Sequence, residues 1–528
     1  MTNSIREIED AAVLLVIGSN TTEAHPVISY YMKRAVKKGA KLIVCDPRRI
    51  DLVKWATVHV QHRVGTDVAL LNGLMNEILA NGWQDRDFVE QHTEGFDELR
   101  DVVAEYPVER AAEITGVPVE QLREVAKMLA AEKPVSLCYT LGITEHTSGT
   151  DNVTSCANLQ MLLGNLGLRS GGVNPLRGQN NVQGACDMGA LPNVYSAYQQ
   201  ADDADVRERF RRAWGVERLP DRAGRRMPGM FAGMLDGSTR AFLCHGENVV
   251  MSEPNENHTR RCLEALELLV VFDIFENETT QYADVVFPCT GWSEQDGTFT
   301  NTERRVQRVR AAVAAPGECR APWWILGELA RRLGVDMGFE SAEGVYEEMR
   351  SLSTSYAGIT WGRIEDEGIQ WPAPTLDHPG TEFLHADGEF TRGKGQFVPA
   401  RWRPPAEQPD DEYPLVLTTG RRLWHYHSGT QTRRSGGFEE LFGEELVEIG
   451  PDDAVELGVA DGDYVWVISR RGRVRMRAWV TNRSPRGVVW SCFHFHEANI
   501  NLVTNDVFDP VTETAEYKAC AVRIEAAP

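Results

Sequence analysis

The 528-residue chain is 42% hydrophobic and 25% charged, ordinary globular usage that excludes a disordered or fibrous fold. At roughly 100–200 residues per domain the length implies about three or four domains. A net charge of -22 excludes a broad nucleic-acid or anionic-membrane surface, so any bound anion needs a local cation.

In chain order, the apolar run Val13–Ile17 ends in Gly18-Ser19-Asn20. A helical pattern over 23–38 and a second apolar run over 42–45, closed by Asp46, follow. This strand–turn–helix–strand order is that of a nucleotide-binding unit. Helical periodicity over 68–81 and 119–131 and a buried strand over 135–139 continue an alternating α/β pattern, which predicts a doubly wound parallel sheet. The first unit then recurs: residues 241–245 run into Gly246-Glu247-Asn248, and 269–272 end in Asp273. Asp46 lies 28 positions after Gly18 and Asp273 lies 27 after Gly246, while Ala56 and Ala283 each follow their aspartate by 10. Two units in such register predict a pair of related α/β domains, each with a site at the carboxyl ends of its strands.

Beyond about residue 399, the proline-bearing linker around Pro404-Pro405 and 407–411 gives way to β-rich sequence. Strands are predicted over 415–418, 464–469, 474–480 and 488–491, with a hairpin turn at Arg470-Arg471-Gly472-Arg473. The expected division is a first α/β domain over 1–179, a second over 180–400 and a C-terminal β-barrel, of the double-psi type, over 401–528.

Neither glycine turn is a full Gly-x-Gly-x-x-Gly, so a nicotinamide site is weakly indicated. The acidic residue closing each second strand, Asp46 or Asp273, suits a ribose diol or the N–H edge of guanine. Arg48 and Arg49 beside Asp46 suit a pyrophosphate or an intramolecular ion pair equally. Ten cysteines are scattered without a Cys-x-x-Cys or Cys-x-x-x-Cys pair, which points to buried reduced thiols and gives no metal ligands. His425 and His427 lack a third convergent ligand. His494 and His496, among aromatic residues, read first as barrel packing. The richest segment is the aperiodic loop from Asn174 to Pro192. In it Arg177 offers a planar fork for a carboxylate and Gln179 a neutral donor two residues on, although a structural loop satisfied by its own amides fits as well.

That loop resembles the substrate loop of formate dehydrogenases in the molybdopterin oxidoreductase family. Further blocks follow in the same order: Gly18-Ser19-Asn20 to His25-Pro26, Cys45-Asp46-Pro47-Arg48, Gly65-Thr66-Asp67, Asp273-Ile274-Phe275 with Thr279, residues 294–301, Thr418-Thr419-Gly420-Arg421 with His425, and Asn501-Leu502 with Lys518. The resemblance spans nearly the whole chain. It implies a bis-molybdopterin guanine dinucleotide carrying molybdenum or tungsten, one half held by each repeat and capped by the barrel. It further implies formate or carbon dioxide as substrate, and iron–sulfur or flavin/NAD-binding partner subunits. Under it Arg177 and Gln179 handle substrate. Cofactor contacts fall to Gly18, Asn20, Asp46, Arg48, Gly65, Asp67, Gly142, Gly246, Asn248, Asp273, Thr279, Thr418, Gly420, Arg421, His425, Asn501 and Lys518. Another enzyme of the family, such as a nitrate reductase, and a non-catalytic electron-transfer scaffold are the alternatives.

The family also carries, upstream of its counterpart to Met1, four cysteines for a 4Fe-4S cluster, a lysine near the pterin and a cysteine or selenocysteine metal ligand. The expectation is therefore that this chain begins in mid-domain and is inactive alone. With no membrane-length apolar run and no signal-like start, it is expected in the cytoplasm.

Overall fold

The computed structural model describes residues 1–527. The chain divides into two compact units: residues 1–176, 250–259 and 383 onward form the first, and residues 177–249 and 260–382 the second.

In the first unit five parallel strands, β1 (Val13–Ile17), β2 (Lys41–Cys45), β3 (Val58–Val60), β4 (Val135–Tyr139) and β5 (Val173–Pro175), stand in the order β3-β2-β1-β4-β5. Side chains of β1 alternate between two cores. Val13, Leu15 and Ile17 meet Leu70, Leu122 and Leu159 on one face. Leu14 and Val16 meet Ile28 and Met32 on the other. A strand covered on both faces must be apolar throughout, which is why the sequence showed runs here and no alternation. The helix expected over 23–38 is broken at His25 (φ -139°) into Thr21–Ala24 and Pro26–Lys38. Pro26 has no N–H to continue a helix and disfavours helical backbone before it, yet is suited to the first helical position.

The strand order reverses between β1 and β4, the place where such sheets take a ligand outside their carboxyl ends. Gly18 (φ +55°) turns the chain there, its amide donating to the Cys45 carbonyl at 3.0 Å. The turn after β4 lies directly against it: the Gly142 amide donates to the Gly18 carbonyl at 3.1 Å, and a Cβ on Gly142 would stand 2.6 Å from Gly18 Cα. Neither position has room for a side chain.

The second unit repeats the arrangement with β6 (Ala241–His245), β7 (Leu268–Asp273) and β8 (Val285–Pro288), parallel in the order β8-β7-β6. The duplication extends to single hydrogen bonds. The Gly246 amide (φ +64°) donates to the Phe272 carbonyl at 2.8 Å, as Gly18 does to Cys45, and the Asp284 amide donates to the Leu269 carbonyl at 2.9 Å, as Thr57 does to Leu42 at 2.7 Å. An antiparallel sheet of Gly297–Thr300, Arg305–Val309 and Ile369–Gln370 also belongs to this unit.

The closed barrel belongs to the first unit. Its strands β9 (Leu415–Thr419), β10 (Leu446–Ile449), β11 (Tyr464–Ile468), β12 (Arg473–Val480), β13 (Val488–Ser491) and β14 (Cys520–Ala526) run in the order β9-β13-β10-β12-β11-β14. Along β12, Val474, Met476 and Ala478 face the core between outward-facing arginines. The expected hairpin closes where the Ser469 amide donates to the Gly472 carbonyl at 2.9 Å. Strands β10 and β14 were not expected; in β10 a buried glutamate, Glu448, interrupts the apolar pattern.

Candidate cofactor and substrate site

In the first unit the turn after β1 presents Asn20. Its Oδ1 accepts from the Thr22 hydroxyl at 3.1 Å, while its Nδ2 is buried with no hydrogen-bond partner among the described residues. A buried donor without an acceptor costs about 1–3 kcal/mol unless a ligand supplies one. At the end of β2, Asp46 accepts from the Arg48 amide at 2.9 Å, and burial pushes its carboxyl up against the pull of Arg48. The Arg48 guanidinium itself turns to Glu448, 2.6 Å away, and lies 3.7 Å over the Trp490 ring. Of the two uses the sequence left open, the intramolecular ion pair is formed. Gly65 (φ +73°) abuts the linker: a Cβ there would stand 2.3 Å from Pro405 Cγ, and its carbonyl accepts from Trp402 Nε1 at 2.9 Å.

Asp67, 3% exposed, pairs with His62 Nε2 at 3.0 Å. Burial disfavours charge on both. The pairing nevertheless leaves the Asp67 carboxyl below its ordinary value and the His62 imidazole above its own. Stability from the lowered carboxyl is present above about pH 4 and lost as pH falls through its folded value. Stability from the raised histidine is complete below about pH 6.5 and lost as pH rises through its folded value. Asp67→Asn should therefore destabilise the protein most between those limits and progressively less above neutrality, as thermal melts across about pH 4.5–9 would show. A pH-independent loss would contradict an ion pair.

The barrel candidates divide. Lys518 is buried, with its ammonium 2.5 Å from Glu145 and 3.4 Å from the Thr419 hydroxyl. Burial draws its pKa down despite the carboxylate. Glu145 lies just past the turn that carries Gly142, so this pair ties the end of β9 to the carboxyl end of β4. Nothing in the sequence pattern marked Glu145. Thr418 is buried in β9. A Cβ on Gly420 would meet Trp490 at 2.6 Å. Arg421 lies 4.4 Å over the Phe493 ring, and burial together with that guanidinium pushes the His427 imidazole down to about 3, so His427 is neutral. His425 and Asn501 are used internally: His425 contacts the Thr432 hydroxyl at 3.2 Å and the Phe442 carbonyl at 2.6 Å, and Asn501 Nδ2 donates to the Met251 carbonyl at 2.8 Å. Glu445, Cys492 and His494 bring potential ligand atoms within 4.8 Å of one another. Two of the three are already engaged, while Glu445 Oε2 has no hydrogen-bond partner among the described residues. Glu445 accepts from Arg422 Nε at 2.9 Å, and His494 Nε2 accepts from the Arg422 amide at 3.1 Å.

In the second unit Asn248 and Thr279 meet, the Thr279 hydroxyl donating to Asn248 Oδ1 at 2.9 Å. Asp273 closes β7, accepting from the Ile274 amide at 2.7 Å and Asn277 Nδ2 at 2.8 Å, and burial raises its carboxyl. This folds the Gly246 turn against residues 277–279, the counterpart of the Gly18 turn. Arg177 opens the unit. Its amide donates to the Thr302 hydroxyl at 3.1 Å, its Nε to Gln183 Oε1 at 2.9 Å, and Nη1 lies 3.3 Å from Cys186 Sγ. Gln179 is half-buried on the same loop. Of the ten unpaired cysteines, only Cys186 and Cys319 are not buried.

Twin nucleotide-type α/β repeats accompanied by a six-stranded barrel define a protein built to bind a dinucleotide-bearing cofactor. The family model for molybdopterin oxidoreductase matches residues 1–332, and that for the molybdopterin dinucleotide binding domain matches 415–521. The "F420-dependent formate dehydrogenase 2 subunit alpha" of Methanococcus maripaludis is 45% identical over 99% of this chain and 78% of its own length. Formate dehydrogenase H of Escherichia coli is 37% identical over 99% of this chain and 74% of its own. Acetylene hydratase from Pelobacter acetylenicus shares the fold at a TM-score of 0.78 and 22% identity, covering 100% of this chain and 81% of that one. The chain belongs to the molybdopterin oxidoreductase family. Its cofactor is a molybdopterin dinucleotide, and the facing Gly18 and Gly142 turns, too tight for side chains, and the Asn20 donor, without a partner among the described residues, fit such a group. No helix among the described residues is long and apolar enough to cross a membrane.

Proposed function

We propose that this chain is the catalytic subunit of a formate dehydrogenase that oxidises formate to carbon dioxide and passes the electrons to an iron–sulfur or flavin-bearing partner. The observation that carries the reading is Arg177, a guanidinium seated on a polar loop of a protein of net charge -22, in a chain 45% identical to a formate dehydrogenase alpha subunit. The cofactor of the proposal is the bis-guanine dinucleotide form with molybdenum or tungsten, each repeat's glycine turn and closing aspartate, Asp46 or Asp273, serving one nucleotide end. When bound, that group supplies the two-electron chemistry. The protein's share is placement. The planar fork of Arg177 matches the two oxygens of formate, cancels their charge and fixes the direction of the C–H bond, while Gln179 adds a neutral donor. Gly18 and Gly142 keep side chains out of the first nucleotide turn, and Asn20 supplies a donor there.

The test is dye reduction by the complete, cofactor-loaded gene product. Formate should drive it and nitrate should not be reduced by the pre-reduced enzyme. Nitrate reduction without formate oxidation would assign a different reaction to the same fold.

A further inference from the structure

A carboxylate behind Arg177 has no part in the chemistry above. Asp187 is fully buried, yet both of its oxygens are engaged by donors. Its Oδ2 accepts from Trp371 Nε1 at 2.7 Å and from the Tyr356 hydroxyl, and its Oδ1 accepts from Gln183 Nε2 at 2.7 Å. Gln183, also buried, spends its second amide hydrogen on the Tyr198 hydroxyl at 2.8 Å. With both hydrogens committed, its Oε1 has one direction left, toward Arg177 Nε at 2.9 Å.

We propose that Asp187 is a positioning residue for the substrate guanidinium: by accepting from Gln183 it fixes which end of that carboxamide faces Arg177, and so fixes the plane of the fork. A carboxamide is nearly symmetric in shape but reversed in polarity, so only its neighbours decide its orientation. An acceptor-only group at 187 forces the nitrogen inward and the oxygen outward. This rests on the reading of Arg177 as the formate anchor, and it adds that the anchor's direction is set, through Gln183, by a charge that touches no substrate.

The consequence is specific. In Asp187→Asn, the oxygen of the new carboxamide stays with Tyr356 and Trp371, which both donate, and its NH2 turns to Gln183. Gln183 must then reverse, setting its own NH2 against the Arg177 Nε–H, donor to donor. Adding Gln183→Glu to that variant moves the carboxylate to position 183, where it accepts from the carboxamide at 187, from Arg177 and from a rotated Tyr198 hydroxyl. Total charge is unchanged and the seat of Arg177 is restored.

Two readouts separate this inference from the formate reading. The first is alkylation at Cys186, whose sulfur lies 3.3 Å from Arg177 Nη1. A nearby guanidinium draws anionic iodoacetate over neutral iodoacetamide, and peptide mapping gives the ratio with the half-buried Cys319 as internal reference. The second is the KM for formate of the cofactor-loaded enzyme. Asp187→Asn should lower the iodoacetate preference severalfold and raise KM about tenfold with a smaller change in kcat, and the double variant should recover both. An unchanged alkylation ratio in Asp187→Asn, or a loss shared equally by both variants together with a lower melting temperature, overturns the relay and leaves Asp187 a packing residue. A ratio that falls and recovers in an enzyme that never oxidises formate upholds the relay and overturns formate as its substrate.

Discussion

Replacing Arg177 with lysine in the complete enzyme should raise the KM for formate by about 10- to 100-fold, with a smaller fall in kcat. Lysine keeps the charge but presents a compact ammonium in place of a planar fork, so one of two charge-assisted hydrogen bonds is lost. Such a bond is worth roughly 1.5–3 kcal/mol, and each 1.4 kcal/mol is about tenfold in affinity. Lysine also cannot reproduce the Nε contact to Gln183, so its ammonium loses the direction that contact imposes. Arg177→Ala should be worse by the further loss of charge, and guanidine added to that variant should restore part of the rate. Steady-state kinetics in formate decides the matter: a KM for Arg177→Lys within about twofold of the parent would remove this residue from substrate binding.

The repeats were legible because their signals are local and paired. An apolar run, a glycine that must take positive φ, and an acidic residue closing the next strand recur at nearly equal spacing, and the structure repeats them down to the Gly18–Cys45 and Gly246–Phe272 hydrogen bonds. Four of the six barrel strands were legible as short β-rich runs, and β10 and β14 were not. What stayed hidden were polar groups whose partners are distant in sequence. Glu448 interrupts the pattern of β10 and meets Arg48 400 positions away. Glu145 meets Lys518 across the first unit, and Asp187 is satisfied by Tyr356 and Trp371. Composition marks such residues as exposed, since a charge is buried only with a partner, and one sequence does not reveal the partner. Arg48 shows the limit: its type fitted a phosphate or a carboxylate, and only coordinates could show the carboxylate beside it.

That carboxylate sets the second large effect. Glu448 is fully buried. It holds Arg48 at 2.6 Å and has Arg422 at 3.7 Å and Arg483 at 3.8 Å, while Trp490 lies between Arg48 and Arg422, 3.7 and 4.6 Å from their guanidinium carbons. Arg422 has a second carboxylate in Glu445, and Arg483 has Glu23. Among the described residues, Arg48 makes no other salt bridge, although its charge also acts on the buried Asp46 carboxyl. Glu448→Leu should therefore strip one buried guanidinium of its ion-pair partner and destabilise the first unit by about 3–5 kcal/mol. Pairing it with Arg48→Met removes the stranded charge and replaces the ion pair with apolar groups of similar length, so most of that loss should return. Urea unfolding followed by barrel tryptophan fluorescence measures both, and a Glu448→Leu variant within about 1 kcal/mol of the parent would show that water reaches Arg48. Pterin content of the double variant then separates the two uses the sequence allowed Arg48: a parent-like content with restored stability assigns its guanidinium to holding β2 against the barrel, and a fall in content at restored stability assigns it to the cofactor as well.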